Sequence, residues 1–467
     1  MPTLPFPTAF SFRCPSHRKN QQIMCCKHSI STCLILFFTL HWTCLANAKD
    51  WPEFRGPLGN GHVTEGTIPV TWSDSENVTW KIEVPGRGHS SPVIADGKIW
   101  LTTAIVDELS DQEKQERLAK ITNSQGLEIV NSVSLRAICY DQETGQEIYN
   151  VELLKPETLE PIHKTNTYAS PTPVIHDGKV LFHFGTYGSA CVDAKSGELL
   201  WQNVGLKIEH QNGPGSSPIV WDGLMITHYD GTDSQFVAAL DIKDGSVVWK
   251  TERSGAMNPK PEMKKAYCTP TLVQTPRGLE MISPGADWVY GYDPKTGKEL
   301  WKAAYGELGF STVPKPVIGH GMAFICTSFM RSRLLAVKYG GTGDVTTENI
   351  VWASDSQISK KPSLMLVDNL LFVGNDAGII TCFEATTGKE LWRERIGGNF
   401  SASPIYCNGL IYFFSEEGKA TVIRVADKYE PVAANQLGDG FTASPAVSGD
   451  SLILRSQTAL YRIDAKP

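Results

Sequence analysis

The densest run of chemically able side chains is Ile162-His163-Lys164-Thr165-Asn166-Thr167-Tyr168-Ala169-Ser170-Pro171. It places a base, a cation, an amide and a phenol in one loop. Such groups can hold a polar ligand, or move a proton once burial has tuned the imidazole. Related groups recur between apolar runs further along the chain. The candidate set is His89, His163, Lys164, Asn166, Tyr168, Asn212, Asp287, Trp288 and Arg331. Mixed aromatic, amide and ionic groups are what a concave binding site uses. No reactive constellation accompanies them: there is no G-x-S-x-G, no H-E-x-x-H and no phosphate-binding G-x-x-x-x-G-K-[ST]. Glu416 and Glu417 are adjacent, so strand alternation sends them to opposite faces. Asp230-Gly231 and Asp376-Ala377-Gly378 each offer too few oxygens for calcium and read as turns. No catalytic residue and no metal site is therefore assigned.

The elements that must position these groups are repeats. In Cys191-Val192-Asp193-Ala194-Lys195-Ser196-Gly197-Glu198-Leu199-Leu200-Trp201 a short apolar run ends in Asp, Gly follows four residues later, and Trp four after that. Asp opens a turn by accepting a backbone N–H, Gly closes it at positive φ, and Trp lies on the return strand. Asp141/Gly145/Tyr149, Asp241/Gly245/Trp249, Asp293/Gly297/Trp301 and Glu384/Gly388/Trp392 keep the spacing. A degraded copy with a longer turn ends at Trp352, and Trp80 has the look of the repeat Trp without its turn.

A second piece alternates with the first: Ser91-Pro92, a short strand, Asp96-Gly97, and another strand. Copies begin at Pro173, Pro218, Pro270, Pro316, Leu364, Pro404 and Pro445. Together the pieces make units of four antiparallel strands, and such units repeated about an axis form a β-propeller. The eighth unit stops one strand short at Ile463, and Val78–Val84 is an unclaimed strand near the other end. The expected fold is all-β: an eight-bladed propeller over 78–463, its ring closed by an N-terminal strand in the last blade. Residues 49–77 form an aromatic, Gly/Pro-rich arm. Blade 1 carries an insertion, 104–136, whose charged stretch 107–120 reads as a helix: either a solvated decoration or a lid over one face. On this topology the candidate residues ring the mouth of the central channel.

The formal charge of the 467 residues is −7, and beyond the first 48 it is −11. No basic run occurs there, which argues against nucleic acid as a partner. Residues 1–48 have four basic and no acidic residues, the apolar run Leu34–Leu40 and the small-x-small site Ala46-Asn47-Ala48. They read as an export signal whose apolar run is too short to span a bilayer, leaving no transmembrane segment in the mature chain. Six cysteines follow it: Cys139, Cys191, Cys268, Cys326, Cys382 and Cys407. Three share one repeat position, so they read as buried thiols packing like Ala, with one disulfide among the others left open.

The A-x-D-x-x-[TS]-G-x-x-x-W pattern resembles the tryptophan-docking motif of pyrroloquinoline-quinone (PQQ) repeat propellers. That superfamily includes quinoprotein alcohol dehydrogenases and the assembly lipoprotein BamB. Trp51 to Gly61, with Phe54-Arg55-Gly56-Pro57, further resembles secreted PQQ-like propellers of planctomycetes and related bacteria. The resemblance implies structural roles between blades for Trp80, Tyr149, Trp201, Trp249, Trp301, Trp352 and Trp392. The adjacent cysteines that quinoprotein enzymes place near the quinone occur here only as Cys25-Cys26, within the export signal, and Cys44 lacks a lipobox. The expectation is an exported, periplasmic or cell-envelope monomer without a cofactor. It would be a non-enzymatic scaffold binding a protein partner or a small-molecule or carbohydrate ligand at the channel mouth. The alternative is a PQQ- and calcium-dependent alcohol or sugar dehydrogenase with a diverged pocket.

Overall fold

In the computed structural model, residues 50–121, 123–306 and 309–465 are described. The expected export signal lies outside them. Antiparallel strands form eight blades in a ring. Blade 1 comprises Val93–Ala95, Lys98–Asp107, Ser132–Asp141 and Glu147–Leu154, from the channel outward. Blades 2 to 7 follow in chain order, and blade 4 gains a fifth strand, Gly343–Asp344. In blade 8 the strands Ala446–Ser448, Ser451–Arg455 and Ala459–Ile463 are completed by Val78–Glu83. Val78 opposes Ile463 and Lys81 opposes Tyr461, so the two ends of the propeller share one sheet.

The repeated turn explains how neighbouring blades lock. Asp193 Oδ1 accepts the N–H groups of Lys195 (2.9 Å) and Ser196 (2.8 Å). Trp201, on the return strand, reaches the next blade and donates from Nε1 to Ile242 O at 3.0 Å. Its ring lies over Gly245, where a Cβ would stand 2.5 Å from the indole. Trp80, Trp249, Trp352 and Trp392 make equivalent bonds to Gln142, Pro294, Ala385 and Ala426 carbonyls at 2.9–3.2 Å, and Tyr149 OH donates to Lys195 O. Trp301 differs. It packs with side chains of blades 4 and 5, but its Nε1 donates to Glu280 Oε2 of its own blade at 2.8 Å, over Gly291. The longer turn of blade 5 is the reason: it leaves to pair with the edge of blade 4, and its Val345 packs beside Trp301.

A second lock surrounds the channel. Two residues before each inner strand stands a Ser or Thr in seven blades and Lys315 in blade 5, and all but Thr269 donate their N–H to the next blade's hydroxyl. The bonds are Ser91 to Thr172, Thr172 to Ser217, Ser217 to Thr269, Lys315 to Ser363, Ser363 to Ser403, Ser403 to Ser444 and Ser444 to Ser91, at 2.9–3.2 Å. The circuit breaks between Thr269 and Lys315, where blade 5 has no hydroxyl to offer.

The N-terminal arm crosses the channel one layer beneath this girdle. Trp51 bridges to Ile94 of blade 1 and Pro52 O accepts from Ile175 of blade 2. On the far side Glu53 meets Lys315 of blade 5, His62 bonds Leu366 O of blade 6, and Gly61 O accepts from Tyr406 of blade 7. Trp51 and Arg55 are buried.

The insertion is shorter than the sequence suggested, because the flanking strands run on to Asp107 and from Ser132. Its helix is Asp111–Leu118, capped by Ser110 and Glu113, and buries no residue. All six described cysteines are buried and unpaired.

Ser217→Ala leaves the buried Thr172 N–H without its acceptor and should cost about 1–3 kcal/mol in urea unfolding, with Ser217→Thr milder. Trp201→Ala should cost about 3–5 kcal/mol in the same measurement.

Candidate functional site: the loop-face cavity

Because the arm closes the channel, the loop face holds a cup rather than a pore. Its volume is about 920 Å³. The floor carries the seven girdle hydroxyls and Phe54. Each hydroxyl oxygen already accepts a backbone N–H from its neighbour, so it has its own proton and one remaining lone pair to offer the cavity.

The walls combine cations with an apolar lip. Lys260, Lys265, Lys360 and Lys361 line the cup against two carboxylates, Glu262 and Asp376. Lys265 is buried and bonded to Gln211 Oε1, and burial lowers its pKa to about 8. Lys361 Nζ meets Glu416 Oε1 at 2.8 Å. Asp376 accepts from Lys360 N–H at 3.0 Å through Oδ2, its Oδ1 has no protein partner, and burial raises its pKa. Phe310 and Phe329 meet edge to face at 5.9 Å, and Phe329 and Met330 are 58% and 62% exposed at the rim. An exposed aromatic–thioether pair beside cations is an attractive contact for an incoming chain. The insertion contributes Asn123, Gln125 and Leu127 to the wall. Leu127–Glu128 pairs with Ile162–His163, which fixes that segment over one side of the mouth, while the helix stays in solvent.

Of the residues singled out from sequence, His89, His163, Asn166 and Asn212 line the cup. His89 is half-buried; desolvation, then Arg455, lower its pKa to about 4, so it is neutral. His163 Nδ1 lies 2.8 Å from Thr165 Oγ1. Asn166 is spent on the wall: Nδ2 donates to Asn212 O at 2.8 Å and Pro214 O at 3.1 Å, while Oδ1 accepts from Thr167 N and Ser170 Oγ.

The other five are not lining residues. Lys164 points to solvent. Tyr168 is buried and donates to Glu160 O at 3.0 Å. Asp287 accepts from Asn258 N–H at 2.9 Å, at φ 63°. Trp288 donates to Ala256 O at 2.8 Å and lies under Lys302. Arg331 is paired with Asp355 at 2.9 Å on the outside. For all but Lys164, a local backbone or ionic partner claims the side chain.

Sequence reasoning passed over the girdle, the Lys360–Lys361 pair and the Phe329–Met330 lip. The girdle had a signal, a hydroxyl residue preceding the repeated Pro. The lip had none, because its two side chains sit in a loop outside both repeated pieces.

Behind the cup lies a buried polar layer. Asp230 and Arg253 form a fully buried fork at 2.5 and 2.7 Å. His183 bonds Ser189 Oγ at 3.0 Å and His228 bonds Ser283 Oγ at 2.8 Å. Among the described residues no three His, Cys, Asp or Glu side chains converge as a metal site would require.

A closed ring of four-stranded blades around a plugged, hydroxyl-floored cup defines an eight-bladed propeller of the PQQ-repeat type. The profile of the family described as outer membrane protein assembly factor BamB matches residues 111–258 and 341–430, half of the chain, and the chain belongs to that family. BamB from Moraxella catarrhalis superposes with a TM-score of 0.54 at 14% identity, over 83% of this chain and 97% of that one. A europium-containing methanol dehydrogenase gives 0.61 at 10% identity, over 90% and 98%. At those identities the likeness is one of fold. Quinohemoprotein alcohol dehydrogenase ADH-IIG of Pseudomonas putida is 24% identical over 253 residues, 47% of this chain. The match spans 33% of that relative's length.

The buried histidines give the layer a pH signature. Burial lowers His183 to about 3, so between there and its unfolded pKa near 6.5 the unfolded chain binds more protons. Its contribution is complete above pH 6.5 and is lost as pH falls towards 3, by about 2 kcal/mol at pH 5. Glu160, raised to about 7 by burial, runs the opposite way between 4.5 and 7. Urea unfolding of wild type and His183→Gln at both pH values isolates the histidine. The variant's stability deficit should shrink by about 2 kcal/mol from pH 7 to pH 5.

Proposed function

We propose that this chain is an exported, non-enzymatic scaffold of the cell envelope that captures a partner in the loop-face cup. The reading rests on membership of a family described as an assembly factor and on the export-signal pattern of residues 1–48. The observation that carries it is the cup itself: about 920 Å³, donor-floored, cation-walled and edged by an exposed Phe329–Met330 lip. Asn166, Lys265 and Lys361 are held by neighbours, so the surface is set before the partner arrives. The favoured occupant is an acceptor-rich, acidic protein segment with an apolar residue for the lip. A small polar or carbohydrate ligand would use the same floor. The scaffold acts as a monomer.

The donor set favours this reading over one with a quinone and calcium. Among the described residues no three His, Cys, Asp or Glu side chains converge, Asp230 is committed to Arg253, and the six described cysteines are separate and buried.

Two measurements check the reading. A photo-crosslinking side chain at Met330 should give defined adducts in cells, whereas one at Asp222, in an exposed hairpin at the other end of its blade, should give none. Charge reversal at Lys360 and Lys361 should reduce the Met330 adducts several-fold. Equal adducts at both positions, or none at Met330, would overturn the capture site. Separately, PQQ with calcium should leave the melting temperature unchanged, and a rise with alcohol turnover would replace the scaffold by a dehydrogenase.

A further inference from the structure

The arm that plugs the channel carries a charge with no counter-charge. Arg55 is 2% exposed and sits at φ 69°, a conformation a non-glycine residue adopts at a cost. Its Nη2 donates to Asn60 O at 2.7 Å, while Nε and Nη1 have no acceptor among the described residues. The equally buried Arg253 shows what a satisfied guanidinium looks like here, with Asp230 gripping two of its nitrogens.

Close to Arg55 lies Lys315, 3% exposed, the residue that interrupts the hydroxyl girdle. Its Nζ is 3.9 Å from Glu53 Oε1, beyond hydrogen-bond distance. Glu53 thus faces Lys315 and not Arg55, and burial pushes that carboxylate towards its neutral form. Arg55 in turn is among the charges that depress Lys315. The other titratable groups around the plug are His62, Asp368 and Cys268. His62 is held neutral by burial, Asp368 acts on His62, and the Cys268 thiol is pushed up by burial. The backbone is cleared for both cations. A Cβ at Gly61 would stand 2.8 Å from Arg55 Nη2, and one at Gly59 2.6 Å from Lys315 Nζ.

A buried, incompletely hydrogen-bonded guanidinium beside a loosely paired ammonium is a site for negative charge. We propose that Arg55 and Lys315 hold a small monovalent anion of halide size inside the channel plug, beneath the cup floor. Phe54, the residue before Arg55, belongs to that floor, so the anion fastens the arm and with it the base of the cup. The anion's place in the plug does not depend on what the cup binds.

The test uses the full mature chain in sodium chloride and in sodium gluconate at equal ionic strength, gluconate being a bulky organic anion. Wild type should melt about 2–4 °C higher in chloride. Glu53→Gln, which removes the competing carboxylate, should widen that difference, and Arg55→Met should abolish it. Bromide-soaked wild-type crystals should show anomalous density at Arg55 Nε and Nη1, a readout that stands even if Arg55→Met fails to fold. Identical melting in the two salts, or a water without anomalous signal at that position, would overturn the proposal.

Discussion

The constraint on which the molecule depends is the hydrogen-bonded circuit around the channel. Inner strands such as Val93–Ala95 and Val174–His176 are only three residues long, so few ladder bonds hold the rim. The N–H groups just ahead of them are buried, and leaving one unpaired costs about 1–3 kcal/mol. Passing each to the next blade's hydroxyl satisfies the backbone and fixes the spacing between blades in a single contact. The docking indoles do the same on the outside. Most seams therefore have an inner and an outer anchor, and those two points set the wedge angle that lets eight blades close.

Two seams depart from that scheme, and the arm serves both. Between blades 4 and 5 the hydroxyl is replaced by Lys315 and Trp301 turns into its own sheet. There Glu53 comes from the arm to meet Lys315, and Gly343–Asp344 ties blade 5's turn to blade 4. Between blades 7 and 8 the outer strand Pro431–Gln436 has no Trp. Trp72 of the arm stacks beside Tyr412 and Phe414 instead. Its N–H donates to Asn435 Oδ1 at 2.9 Å, and Asn435 Nδ2 returns a bond to Val70 O at 3.0 Å. A segment outside the repeats thus completes the seams at which the repeats are least regular.

That division explains what could be read in advance. Ring closure by Val78–Glu83 was legible because a repeat that stops one strand short demands a partner, and the period fixes where it must lie. The face bearing the cup followed from the same counting. Side-chain direction did not, because a loop residue points wherever its nearest partner lies. Tyr168 found Glu160 O, Trp288 found Ala256 O and Arg331 found Asp355, none of which spacing could anticipate. The arm was legible only as irregular. Its role depends on contacts with inner strands more than a hundred residues away in sequence, such as Glu53 with Lys315 and His62 with Leu366.

The arm also decides what the cup can recognise. An open channel would let water reach the girdle from below, and its hydroxyls would be exchangeable solvent-facing groups. With Trp51 and Arg55 buried beneath it, the girdle faces one way, into a single cavity. One acceptor lone pair of each hydroxyl is taken by a backbone N–H, which leaves a donor proton and a single lone pair, and the lysines above the ring add further donors. A fold whose seams need hydroxyls for closure thereby acquires a hydroxyl floor beneath a cationic wall. Blade closure and the chemistry of the cup floor here use the same side chains, so a substitution in the girdle acts on both.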